Sequence, residues 1–297
     1  MYQIIKKSKI WYIISAVFIV PGIVFILLGG LKLNIDFTGG TLWKLNFDTN
    51  RSTAQDVSVY LEEYDLGETT IQPTSDSSLA IRMKPIDNET RQTILTSLNE
   101  KYEGVEEESF ESIGPTIGDE LKRRAMVAII IVLIFIILYI NWAFRKISKS
   151  SAIPSWAMGL SAIAALAHDI LFVVGAFAFM GHFFGIEVGA LFVTALLTIL
   201  GFSVHDTIVV YDRVRENVIY GTDSSFEETV NRSVNQTIVR SLNTSFTTLF
   251  VLLALYLFGG ESIRMFVFAM ILGIVTGTYS SIFIASPLLV IWQKLRK

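Results

Sequence analysis

The stretch GFSVHDTIVVYDRVREN, residues 201–217, sets an aspartate, Asp206, beside a histidine, His205, near the end of an apolar run. From 188 to 211 almost every other residue is apolar or small. As a helix at about 1.5 Å per residue that run reaches roughly 36 Å, enough to cross a bilayer. A carboxylate inside such a span costs about 2.5–3.5 kcal/mol on insertion scales, so it reads first as a functional residue. A second pair, His168 and Asp169, lies about twelve residues (~18 Å) before the end of another apolar run, near mid-membrane. Arg240 heads a third run, and Asn243, Thr244 and Thr247 follow it at i+3, i+4 and i+7, which is one continuous polar stripe on a helix. Ser203 shares the Asp206 face from one turn away. Lipid is a poor neighbour for all three faces. The economical arrangement turns them toward one another, or toward a partner, around a hydrated pocket.

Each residue also has a plainer use. Arg240 can anchor a span end, His168 can make a helix–helix hydrogen bond, and Asp212, Arg213, Arg215 and Glu216 suit a surface at the membrane exit. Hydrolytic chemistry lacks its parts. No HExxH occurs, and His168, His182 and His205 form no i, i+4 pair. GFSVH lacks the second glycine of a nucleophile elbow. No catalytic residue and no metal site are expected, although Asp169 with Asp206 keeps an intramembrane aspartyl protease as a minor alternative.

The elements that position these residues follow from composition. Hydrophobic residues make up 52% of the chain and charged ones 17%, with a mean hydropathy of +0.54. A soluble domain carries closer to a quarter charged residues, so this is an integral membrane protein. A net charge of −3 gives no reason to expect a nucleic-acid partner, and without cysteine there is neither a disulfide framework nor a thiolate site. Six runs are long enough to span, at about 10–28, 125–140, 153–180, 188–211, 241–258 and 265–292. The first follows Lys6, Lys7 and Lys9 but is long for a signal peptide and lacks a cleavage site, so it reads as an uncleaved span. The lysines and arginines at the N-terminus, at Arg145, Lys146 and Lys149, and at Lys294, Arg296 and Lys297 fall on one side, which should be cytoplasmic. Lys122, Arg123 and Arg124 disagree, but they adjoin a large translocated domain.

That domain occupies 31–118, between a tail with the first span at 1–30 and the remaining five spans at 119–297. TLWKLNFD alternates Trp43, Leu45 and Phe47 with Lys44, Asn46 and Asp48, and LAIRMK alternates Leu79, Ile81 and Met83 in the same way. Ser52 with Gln55 opens a helix bearing Val57, Leu61 and Tyr64, and a second helix carries Ile94, Leu95, Leu98 and Tyr102. Strands near 69–72 and 105–110 complete a β-α-β-β-α-β order, the ferredoxin-like one. Glu106, Glu107 and Glu108 read as a solvated edge. A cytoplasmic connection at about 212–240 holds a turn at Gly221–Thr222 and, after a capping box at Ser225 and Glu228, a helix running into the fifth span. In the sixth span Gly273, Gly277, Ser281 and Ala285 form a small-residue packing face, a candidate seam toward another subunit.

These motifs together resemble the SecF family, the smaller subunit of the SecDF protein-export complex in the RND superfamily. The resemblance runs over nearly the whole chain, through NIDFTGG at 34–40, SIGPTIGDELKRRA at 112–125, ALAHD at 165–169, HDTIVVYDRVREN at 205–217 and FGGESIRMF at 258–266. It implies half an RND bundle of six helices with an extracytoplasmic domain after the first, in the bacterial cell membrane. It also implies a SecD-like partner, the SecYEG translocon with SecA, YajC as a further candidate, and translocating preproteins. The energy source would be proton flow, with no cofactor. By motif match Asp206 is the family's membrane aspartate and Arg240 its arginine at the head of the fifth helix; the proton pathway would comprise these two with His168, Asp169 and His205, His168 and Asp169 lying nearer the outer water. His205 departs from the family's asparagine. A small-molecule or lipid transporter half is the alternative reading.

Overall fold

Apolar length sets the architecture of the computed structural model, which describes residues 2–47, 54–74, 77–102, 104–144, 154–220, 223 and 225–295. Helices α1 (Ser8–Leu28), α5 (Pro115–Ala143), α6 (Ser155–Phe184), α7 (Ala190–Tyr220), α8 (Phe226–Phe258) and α9 (Glu261–Ser280, continued to Leu295) supply six segments long and apolar enough to cross a membrane. The chain divides into two compact units, Leu33–Met126 and the helical remainder.

In the helical unit α7 is the most enclosed element before the last span, and its buried face runs from Phe192 to Val214. It packs on α9, α8 and α6, while α6 also packs on α1. The connection expected at 212–240 is almost wholly helical: α7 continues through DRVREN to Tyr220, and α8 begins at Phe226. Asn217 donates to Ser233 Oγ and Gln236 Oε1, both at 2.8 Å, which ties the two extensions together. Ser225 Oγ accepts from the Glu228 N–H at 3.3 Å, as the capping sequence requires. The last span has an irregularity that periodicity could not reveal. A π-helical turn, Ser281–Ala285, separates α9 from α10 (Ser286–Leu295). Pro287 lacks an N–H and its ring would meet the carbonyl of Phe283, so the wider turn relieves the clash.

The other unit is a four-stranded antiparallel sheet in the order β2-β3-β1-β4, formed by β1 (Gly40–Phe47), β2 (Thr70–Pro73), β3 (Ser78–Met83) and β4 (Val105–Ile113). With α3 (Ala54–Leu61) and α4 (Asn88–Tyr102) this is the ferredoxin-like unit. Alternation places Trp43, Leu45, Phe47, Leu79, Ile81 and Met83 against Val57, Leu61, Ile94 and Leu98 in one core. The fourth strand runs to Ile113, past the 110 expected from sequence, and bulges against β1 between Lys44 and Leu45. Its glutamates are not a solvated edge throughout. Glu107 accepts from Trp43 Nε1 at 2.9 Å, and Glu108 accepts from Ser78 Oγ at 2.5 Å. The capping residue Ser52, Asp48, the Gly221–Thr222 turn, and the basic positions Arg145, Lys146, Lys149, Arg296 and Lys297 lie outside the described residues.

Asp87 caps α4, accepting from the Thr90 N–H at 2.8 Å, and this bond holds its carboxyl below the usual carboxylate value. The cap therefore stabilises the helix above the ordinary carboxylate value and loses that contribution as pH falls through the lowered folded value. Asp87→Asn should keep the cap and remove this acid dependence. Amide exchange of α4 against pH measures it, and an unchanged acid loss in Asp87→Asn would refute it.

Candidate functional site

The site is built along the contact of α7 with the last span. Ile199, Ser203, Thr207 and Tyr211 recur every four residues on α7, and opposite them lie Gly273, Gly277, Ser281 and Ala285. Small residues let the backbones approach. A Cβ on Gly273 would collide with the Ile199 side chain, and one on Gly277 would sit 3.1 Å from Ser203 Cβ. Thr207 Oγ1 and Ser281 Oγ are hydrogen-bonded at 2.9 Å, and Tyr211 Oη donates to the Ala285 carbonyl at 3.2 Å. The small-residue face is thus consumed within this chain. It is not a seam for another subunit.

Asp169 lies on the α6 side of this contact, with no exposed surface. Its Oδ2 accepts from Ser203 Oγ at 2.5 Å and from Ser280 Oγ at 2.8 Å, while Oδ1 is 3.0 Å from His168 Nδ1. The network continues outward: His168 Nε2 lies 3.0 Å from Ser15 Oγ, Ser15 Oγ donates to Tyr279 Oη at 3.4 Å, and Tyr279 donates to the Trp11 carbonyl at 2.7 Å. One carboxylate therefore joins α6, α7 and α9, and its neighbouring imidazole adds α1. Both of its oxygens have polar partners, which is what a buried carboxylate requires.

Asp206 lies on the α8 side and differs in kind. It is 6% exposed, and its near contacts are loose: Thr278 Oγ1 donates at 3.4 Å, and His205 Nδ1 is 3.9 Å away. It lines a cavity of about 20 Å³ shared with Ser203, His205, Thr244, Ser245, Thr248 and Thr278. That volume holds about one water. Hydroxyls dominate the lining, and Ser245 and Thr278 are bonded to each other at 2.5 Å. Asp169 is not among the residues that line this cavity.

Two expectations change here. His168 and Asp169 do not stand well apart in depth from Asp206. Thr278 and Ser280, which serve Asp206 and Asp169 respectively, are two residues apart, about 3 Å along the helix. Arg240 forms no ion pair within 4.0 Å of Asp206 among the described residues; it sits one turn along α8 from Thr244, which lines the same cavity. The stripe Arg240, Asn243, Thr244 and Thr247 is exposed on this chain, and the buried hydroxyls of α8 are the neighbouring Ser241 and Ser245. Sequence reasoning missed Ser15, Ser245, Thr278, Tyr279 and Ser280. Only a four-residue spacing between Thr276, Ser280 and the small-residue face could have flagged any of them.

Comparison with known proteins gives consistent matches. Residues 93–295 match the family described as "Protein export membrane protein SecD/SecF, C-terminal". The chain is 44% identical to the protein translocase subunit SecF of Thermobaculum terrenum, over 99% of this chain and 94% of that one. It is 40% identical to the SecF subunit of Anaerolinea thermophila, over 99% and 94% of the two chains. Its structure superposes on the crystal structure of SecDF, a translocon-associated membrane protein from Thermus thermophilus, with a TM-score of 0.83 at 32% identity. That match covers 99% of this chain and 39% of the solved one.

Proposed function

We propose a function from one premise: the chain belongs to the SecD/SecF family of protein-export membrane proteins. It is a multi-pass membrane protein and a SecF-like subunit in protein translocation. The solved relative, which carries both halves in one chain, points to a SecD-like subunit as its partner. We infer that proton flow through the paired bundle drives movements of the extracytoplasmic domain, and that these help draw a preprotein outward after SecYEG and SecA have engaged it. The termini would be cytoplasmic, following the lysines at the N-terminus and near the C-terminus.

The observation that carries this reading is the contrast between the two membrane carboxylates. Asp169 is bonded through both oxygens and sealed, so it positions helices; Asp206 opens into a one-water hydroxyl cavity lined by Thr244, one helical turn from Arg240, which has no ion pair among the described residues, so it can exchange a proton. Deprotonated Asp206 attracts Arg240, and protonation removes a buried charge and frees the arginine. That is a two-state element on which a gradient can act. The exposed stripe of α8 leaves intramembrane polar groups that a SecD-like bundle would complete. Purification in mild detergent should therefore bring down a SecD-like chain. Vesicles holding both chains with the translocon should export faster under an imposed proton gradient, and this gain should vanish with a protonophore. Full gradient-stimulated export by this chain without its partner would refute the reading.

A further inference from the structure

Helix α8 holds the segment before α1 by its backbone. Asn235 takes both peptide groups of Tyr2: its Oδ1 accepts from the Tyr2 N–H at 2.8 Å, and its Nδ2 donates to the Tyr2 carbonyl at 2.9 Å. That reciprocal pair is the one a neighbouring β-strand would make. Asn231 lies one turn earlier on the same face. Its Nδ2 donates to the same carbonyl at 3.0 Å, and its Oδ1 accepts from the N–H groups of Ile4 and Ile5 at 3.0 and 3.3 Å. Those two N–H groups open the 3₁₀ turn Ile5–Lys7, which runs on into α1, and the start of a helix has no internal partner for such donors. All of these bonds go to backbone, so the grip does not depend on the Tyr2 ring. Ile4 and Ile5 are buried in one core with Val230 and Val234 of α8. Trp11 Nε1 donates to the Ile4 carbonyl at 3.3 Å, which fixes the segment to α1 as well.

We propose that residues 2–5 form a strap that couples α8 to α1, an inference that rests on the reading of Asp206 and Arg240 as the proton-driven switch. Arg240 follows Asn235 by five residues, about 7.5 Å along α8. Its response to the charge on Asp206 displaces the helix that carries the two asparagines. α1 packs along α6 and continues by chain into the sheet-bearing unit, which begins at Leu33. The strap passes a displacement of α8 to α1, and α1 passes it to that unit. With the strap open the proton site still works, but its movement no longer reaches α1.

Asn231→Ala combined with Asn235→Ala opens the strap, and Tyr2→Ala, which keeps every backbone bond, is the control. Vesicles holding both chains with the translocon report proton uptake from a pH-sensitive dye and export under an imposed gradient. The double variant should lose most of its gradient-stimulated export and keep both its proton flux and the export seen without a gradient. Trypsin should cut it faster at Lys6 and Lys7. Tyr2→Ala should match the unaltered protein throughout. The chain has no cysteine, so Tyr2→Cys with Asn235→Cys places a single pair that a short bifunctional thiol reagent can join. Joining it should restore the stimulation that is missing beforehand, and since one protein is compared with itself a folding defect cannot account for the difference. Full stimulation or unchanged cleavage in the double variant, loss of its proton flux along with export, or no recovery on cross-linking overturns the proposal while the role of Asp206 stands. Full stimulation in Asp206→Asn would instead remove the reading on which the proposal rests.

Discussion

Asp206→Asn should abolish gradient-stimulated export and leave the complex assembled. Asparagine keeps the shape of aspartate and can still accept from Thr278, but it cannot titrate, so no proton can be held at the cavity. One proton crossing the membrane potential supplies about 2.3 kcal/mol per 100 mV, and without a titrating group none of it biases the switch. The bundle itself should stay folded, and so able to assemble, because the α7 seam within this chain is made by Thr207, Tyr211 and the small residues opposite, which the substitution does not touch. Arg240→Met should impair the same step more mildly. Arg240 makes no ion pair with Asp206 among the described residues and does not line its cavity, so its loss should change the balance between the two states and leave the proton site itself intact. Export into vesicles with an imposed gradient, paired with recovery of the SecD-like chain on purification, measures both. Full stimulation in Asp206→Asn would reduce that aspartate to a structural hydrogen-bonder.

The sheet-bearing unit was legible because a strand declares itself locally. Trp43, Leu45 and Phe47 alternate with polar residues, and that alternation alone fixes which face meets the core. The spans were legible for a similar reason, since length and apolarity are local properties. Inside the bundle the logic changes. Ser15, Ser203 and Ser280 look alike in sequence, and nothing near any of them says that one bonds a histidine and the other two an aspartate. The four-residue repeat of Gly273, Gly277, Ser281 and Ala285 announced a close helix contact but not its partner, which proved to be α7. Asp206 and Asp169 were equally visible as costly residues. Their different roles depend on how many donors surround each, and those donors come from helices far apart in sequence.

Gly175→Ala should destabilise the bundle, although alanine is ordinarily the better helix former by about 1 kcal/mol. Helices α1 and α6 meet in register. Ser15 faces His168, and two turns further along both helices Gly22 meets Gly175, with Phe18 on Phe172 and Phe25 on Phe179 to either side of that crossing. A Cβ on Gly175 would stand 2.6 Å from the Gly22 Cα. The obstacle is backbone, which cannot swing aside, so the helices must part. Overpacking of this kind costs about 1–3 kcal/mol, enough to outweigh the propensity gain. Separation at this crossing also loosens the Ser15–His168 contact, which joins α1 to the Asp169 network. Gly201→Ala on α7 is the matched control. A Cβ there meets nothing within 4 Å, so the same substitution should be neutral or stabilising. Thermal unfolding of the purified complex in detergent compares the two. Equal effects from Gly175→Ala and Gly201→Ala would show that helix propensity, and not the α1–α6 crossing, governs both sites.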